Sequence, residues 1–196
     1  MSNIVIDRLT KVYGDNAVLK DFSVAFAEGE TTCLMGKSGW GKTTLFNILM
    51  GFEEADSGQI CGMPRKKSAV FQEDRLCEEF VALSNIKMVT GKNKSDAEIQ
   101  AHLCELGLKD DLHKPLYEYS GGMKRRVAVA RAVLFDGDVI FMDEPFKGLD
   151  ADTKKLTMDY VLRHTKGKTL VVITHDIDEC AYLGGNLIEV EKYNGV

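Results

Sequence analysis

No uninterrupted apolar run in this chain reaches the roughly 18 residues that a membrane-crossing helix needs. The most apolar helical stretch, Val127 to Phe135, is short and carries Arg131. The first residues, MSNIVIDRLTK, lack the basic-then-apolar order of a signal peptide. Together these absences predict a chain that stays in the cytosol. There is no C-x-x-C pair either: Cys33, Cys61, Cys77, Cys104 and Cys180 are scattered, and read as free thiols of a reducing compartment. His102, His113 and His164 have no ligand spacing and read as ordinary residues. Positive charge is not in excess. The net charge of -5 gives no support to a nucleic-acid-binding face. Internal repeats, low-complexity tracts and linkers are absent. What remains is the composition of an average soluble protein, 44% hydrophobic and 28% charged, with enough length for one domain and a subdomain.

The apolar pattern divides the chain into strands and helices. Ile4 to Leu9 and Val18 to Phe26 read as strands, the second with Val18, Lys20, Phe22, Val24 and Phe26 on one parity, as in a half-buried antiparallel strand. Thr31 to Met35 and Ser68 to Phe71 are short apolar runs. Val139 to Met142 and Leu170 to Thr174 are continuously apolar, as parallel strands buried on both faces are. Asn186 to Glu191 reads as a last strand. Helices are predicted over Lys42 to Met50, after a capping box at Ser95 to Glu98, over Gly122 to Leu134, and near Asp152 to His164. Alternating strand and helix argue for an α/β fold. The strand-poor stretch from about Glu73 to Leu116 interrupts it, and predicts a helical subdomain (73–116) inserted in a core formed by 1–72 and 117–196.

Gly36-Lys37-Ser38-Gly39-Trp40-Gly41-Lys42-Thr43 fits G-x-x-x-x-G-K-[ST], between an apolar strand and a helix. Glycines let backbone N–H groups turn inward around phosphate oxygens. The following helix adds its positive end. Lys42 then reaches the outer phosphates, and the Thr43 hydroxyl, with Thr44 beside it, faces Mg²⁺. Further on, Val139-Ile140-Phe141-Met142-Asp143-Glu144-Pro145 ends a buried strand on two carboxylates, where ligand sites of α/β sheets form. Asp143 is the candidate Mg²⁺ holder. Glu144 is the candidate general base. A P-loop nucleoside-triphosphatase core is expected, with a mostly parallel sheet and an antiparallel β edge.

Tyr119-Ser120-Gly121-Gly122-Met123-Lys124-Arg125-Arg126 resembles the signature sequence of ABC ATPases, usually L-S-G-G-Q, and it opens a helix as that sequence does. The resemblance implies ATP hydrolysis in a head-to-tail dimer, with Ser120, Gly121 and Gly122 facing the γ-phosphate held by the other protomer. Tyr119 and Met123 depart from the pattern. Other elements of the family fall in order. Tyr13 matches the aromatic that stacks on adenine, though a structural tyrosine in a turn is the competing reading. Gln72 matches the glutamine that senses Mg²⁺ and γ-phosphate. Gly148-Leu149-Asp150 matches the loop that bridges protomers. His175 matches the switch histidine, where an imidazole can bond the γ-phosphate and position Glu144 with the water.

The runs Phe71 to Leu76 and Asp143 to Phe146 are similar to ATPases of bacterial nitrate, sulfonate and taurine importers. That likeness implies a membrane permease and a substrate-binding protein as partners, besides the second ATPase copy or a homologue. It implies a place on the inner face of the cell membrane. The permease would dock at the helical insert, with Gln72 and Glu73 at its hinge and Phe80, Val81 and Leu83 in the groove or packed within the subdomain. The stretch from Lys42 to Gln72 looks short, which suggests a trimmed antiparallel edge. The chain ends soon after His175, which suggests no C-terminal regulatory domain. Competing readings are an ABC exporter or lipoprotein-release ATPase, a non-transport ABC ATPase, and a GTPase. The last rests on Asn93-Lys94-Ser95-Asp96, better explained as a helix cap because no sheet strand precedes it.

Overall fold

A computed structural model describes residues 3–37 and 39–190. Fourteen elements of regular structure follow one another in the described residues. They are β1 (Ile4–Tyr13), β2 (Asn16–Phe26), β3 (Thr31–Met35), α1 (Lys42–Met50), β4 (Ser57–Cys61), β5 (Lys67–Val70), α2 (Ala82–Thr90), α3 (Asp96–Glu105), α4 (Gly121–Leu134), β6 (Val139–Asp143), α5 (Ala151–His164), β7 (Thr169–Ile173), α6 (Ile177–Leu183) and β8 (Asn186–Glu189). Two short 3₁₀ turns, Lys109–Asp111 and Leu116–Glu118, lead into α4. The strands form two sheets. One is antiparallel in the order β2-β1-β4, the other parallel in the order β5-β6-β7-β3-β8.

Every residue of β6 and β7 is buried, which explains their unbroken apolar sequences. Successive side chains point to opposite faces. On one face Ile140, Met142, Leu170 and Val172 join Ile86, Ile99, Leu103 and the apolar side of α4. On the other, Val139, Phe141, Val171 and Ile173 meet Leu45 and Phe46 of α1 and Ile4, Ile6 and Phe26 of the antiparallel sheet. One parallel sheet thus serves two cores, one helical and one β.

The 42–72 stretch, although short, does supply an edge strand: β4 pairs with β1. Its exposed polar residues carry little apolar signal, so no strand is expected there. In β2 the alternation is broken. Leu19 is buried, and so is Phe26, although their parities differ. Asp21 sits at φ 48°, its N–H donating to Thr10 Oγ1 at 3.1 Å, and the β1–β2 register shifts here. A bulge adds one residue and exchanges the faces, so Lys20 is exposed rather than level with Phe22.

Between 73 and 116 the described residues form helices, turns and one isolated bridge, Val81 to Pro115. Ser95 caps α3 by accepting from the Glu98 N–H, as the capping box predicts. The other helix of this stretch, α2, has no side-chain cap to mark its start, and Gly91 stops it. Phe80 is half exposed, whereas Leu83 packs on the helical core. No helix among the described residues is long and apolar enough to cross a membrane.

Candidate functional site

Strands β5, β6, β7 and β3 run parallel as neighbours, so their carboxyl ends share one edge of the sheet. Four sequence-distant segments start from that edge: Gln72 after β5, Asp143–Glu144 ending β6, Thr174–His175 after β7, and Gly36 after β3. A cavity of about 610 Å³ opens among them. Gly36, Lys37, Gly39, Gly41, Lys42, Thr43, Thr44, Gln72, Asp143, Glu144 and His175 line it, all of them expected from sequence. Ser38 lies outside the described residues. Trp40 is half-buried and does not line the cavity; its ring faces the Lys37 ammonium, 5.8 Å from the centroid.

Two of the glycines here, Gly36 and Gly41, are steric requirements. A Cβ on Gly41 would sit 2.8 Å from Val18 O and 2.9 Å from Leu19 Cδ2, and the residue holds φ 80° at the start of α1. Lys42 turns back on its own loop, its ammonium donating to Gly36 O at 2.5 Å and Lys37 O at 2.7 Å. Burial lowers its pKa, against the opposing charges of Asp143 and Glu144. Lys42 is thus held by the carbonyls of its own loop at the wall of the cavity.

Asp143 is buried, and Thr43 Oγ1 donates to its Oδ2 at 3.4 Å. Its carboxyl is pushed up to about 6, chiefly by burial and then by the neighbouring Glu144. Glu144 is held at φ 48°. Its Oε2 lies 2.6 Å from the Lys147 ammonium, and its Oε1 lies 3.4 Å from His175 Nδ1. Burial works to raise the Glu144 pKa, but Lys147 and His175 outweigh it and the net direction is down. The two adjacent carboxyls are thus pushed apart, Asp143 upward and Glu144 downward.

Ser120, Gly121, Gly122 and Asp150 do not line this cavity. Ser120 caps α4, its Oγ accepting from the Met123 N–H at 3.3 Å. Gly121 has open space where a Cβ would be, while a Cβ on Gly122 would lie 3.1 Å from Leu149 Cδ2. Asp150 caps α5 by accepting from the Thr153 N–H at 3.0 Å. Tyr119 is buried and its hydroxyl donates to Asp111 O at 2.6 Å, so the departure from leucine makes a tie to the preceding turn. Tyr13 stands at the end of β1, 46% exposed, its hydroxyl donating to Glu53. One ring face has the Lys11 ammonium 5.4 Å from the centroid.

Three groups escaped the sequence reading. Lys147, three residues after Glu144, lines the cavity. Arg125 of α4 is buried, its guanidinium donating to Phe71 O and Gln72 O at 2.6 Å each. Glu179, also buried, accepts from the Thr174 hydroxyl at 2.5 Å beside His175. An arginine or glutamate on a helix reads as solvated surface, so only the i,i+3 spacing of Glu144 and Lys147 was a usable signal.

Known proteins resemble this chain in sequence and fold. The family described as ABC transporter matches residues 19–147. A taurine import ATP-binding protein of Roseobacter denitrificans is 40% identical, covering 89% of this chain and 71% of its own length. An aliphatic sulfonates import ATP-binding protein of Burkholderia cenocepacia is 33% identical, covering 91% and 70%. A bicarbonate transport ATP-binding protein of Synechocystis is 35% identical, covering 94% and 73%. Among solved structures, a bacterial ABC transporter cassette in dimeric form superposes with a TM-score of 0.85 at 26% identity, over 98% of this chain and all of that one. The chain belongs to the ABC transporter family, as one of its ATP-binding and ATP-hydrolysing subunits.

Proposed function

We propose that this subunit powers a bacterial importer, working as a head-to-tail pair with a second copy or a homologous ATPase. The observation that carries the pairing is the division of the site. Lys42, Thr43, Asp143, Glu144 and His175 surround one cavity, while Ser120, Gly121, Gly122 and Asp150 lie away from it. An exposed helix N-terminus with a capping hydroxyl and an open Gly121 is an anion site without an anion of its own. A second copy brings it to the triphosphate. Import is the direction the relatives' names carry.

In this reading the Gly36–Thr44 loop (with Ser38) wraps the phosphates and Tyr13 stacks on adenine. The hydroxyl of Thr43, the carboxylate of Asp143 and the amide of Gln72 are hard oxygen donors around one space, which fits Mg²⁺ completed by phosphate oxygens. Bound there, the ion would neutralise phosphate charge. Glu144 takes up the proton side of the attacking water, and His175 holds Glu144 and the γ-phosphate in register. Asp150 meets the partner.

The division into a core (1–72 and 117–196) and a helical subdomain (73–116) gives the permease a docking place. A groove of about 300 Å³ includes Met50, Phe71, Arg75, Val89 and Arg131. Phe52 beside it is 59% exposed, and the Arg75 guanidinium lies 4.0 Å from the Phe71 ring centroid. Phe71 adjoins Gln72, so a permease segment seated here would act on the nucleotide site through one peptide bond. This groove suits the partner better than Leu83, which packs inward. Docking would hold the subunit on the inner face of the membrane, with a substrate-binding protein on the far side.

Glu144→Gln tests the chemistry. Hydrolysis is expected to fall by at least about 10²-fold, since a general base is removed, while ATP binding persists and gel filtration with ATP shows a stable dimer. Turnover close to that of the parent would refute the assignment.

A further inference from the structure

His175 is itself loosely held, its side chain 68% exposed, yet the residues on both sides of it are tied down. Thr174 is buried. Its N–H donates to Leu34 O at 3.2 Å and its hydroxyl to Glu179 Oε2 at 2.5 Å. The Asp176 N–H donates to the same hydroxyl at 3.1 Å. The second Glu179 oxygen lies 2.6 Å from the Lys154 ammonium, which also donates to Asp176 Oδ2 at 2.7 Å. One lysine therefore closes a ring through Glu179, Thr174 and Asp176, with His175 at its open side.

Lys154 belongs to the first turn of α5, and its N–H donates to Asp150 O at 2.8 Å. Asp150 caps the same turn. A second link between the two segments runs from Lys147 through Glu144 to the His175 imidazole itself, whereas the Lys154 link reaches the backbone that carries it. Both oxygens of a carboxylate with 7% of its side chain exposed are bonded, one by an ammonium, and such a cluster resists rearrangement because losing either partner strands a charge. A shift of the Asp150 turn is then carried by Lys154 to the peptide that presents the imidazole.

We propose that Lys154 and Glu179 are positioning residues for His175, fixing its backbone and coupling it to the Asp150 turn; this rests on the reading that His175 acts at the γ-phosphate. Neither lines the cavity, so their effect passes through the imidazole. Misplacing a catalytic group by about 1 Å costs up to roughly 10²-fold in rate. Binding depends mainly on the Gly36–Thr44 loop and should change little.

The test is a set of kinetic cycles. Lys154→Met and Glu179→Gln are each made in the parent and in His175→Ala, and kcat and KM for ATP are measured. Expected is a fall in kcat of roughly ten- to a hundredfold with KM within about twofold, recovery in Lys154→Arg, and no further loss in the His175→Ala background. Equal losses in both backgrounds would make the cluster merely structural and overturn the proposal, as would a raised KM with kcat unchanged. Glu179→Gln keeps side-chain size and an acceptor for Thr174, so it serves if Lys154→Met folds poorly. If His175→Ala alone retains full turnover, the role given to the histidine fails, and the proposal with it; that outcome is distinct from additive losses, which refute the positioning alone.

Discussion

Arg125→Met is the sharpest test of how the Gln72 segment is held. The arginine is 6% exposed, and it binds Phe71 O and Gln72 O at 2.6 Å each while lying 3.0 Å from Asp74 Oδ1. Burial raises the Asp74 pKa, and Arg125 and then Arg131 pull against it. Methionine keeps the apolar stem and removes the fork. Each charge-assisted bond to a carbonyl is worth about 1.5–3 kcal/mol. The three contacts share one guanidinium, so they are not summed; losing one partner of a buried ionic cluster costs about 3–5 kcal/mol. At about 2–4 °C per kcal/mol for a chain of this size, Tm should drop by roughly 6–20 °C. Calorimetry measures the drop, and urea melts should show a lower midpoint at unchanged slope. Amide exchange should accelerate locally around Phe71 to Asp74. A Tm within about 2 °C of the parent would refute the reasoning, because water would then be replacing the guanidinium without cost.

Three further outcomes follow from the site. Asp143 has a folded pKa of about 6, above the roughly 3.9 of an unfolded aspartate; its contribution to stability is therefore full below pH ~3.9 and is lost as pH rises through about 6. Without nucleotide or metal, thermal stability should fall over that window, and Asp143→Asn should abolish that part of the slope; an unchanged slope in the variant would rule Asp143 out as its source. Mixing Lys42→Ala with Ser120→Arg subunits should restore ATPase activity that neither shows alone, because one of the two shared sites is then intact; activity of Ser120→Arg alone equal to the parent would argue against shared sites. Trp40, half-buried within the Gly36–Thr44 loop, should shift its emission to shorter wavelength when Mg-ATP closes the dimer, and less with Mg-ADP; identical spectra in Glu144→Gln with and without ATP would place the indole outside the closing interface.

Local chemistry made much of this legible in advance. The Gly36–Thr43 pattern needs only adjacent residues, because a phosphate loop is built from consecutive N–H groups. The apolar runs of β6 and β7 are visible because both sheet faces are buried. Ser95 announces α3 through a cap three residues long. The order of the family motifs singles out Glu144, Gln72 and His175, which line one cavity.

Other features had no local signature. β4 is polar and exposed, and exists because β1 offers it an unpaired edge. The β2 bulge at Asp21 depends on the register with β1, and exchanges the two faces of the strand. Arg125, Lys154 and Glu179 look like ordinary charged positions of helices, since helical periodicity says which face a residue is on and not which carbonyls from 53 and 54 residues away end there. The sequence by itself determined the phosphate loop, the two carboxylates and the buried parallel strands, all set by neighbours along the chain. Tertiary structure alone decided how Gln72 and His175 are held beside them, because that rests on buried charges whose partners meet only when β5, α4, α5 and α6 have packed.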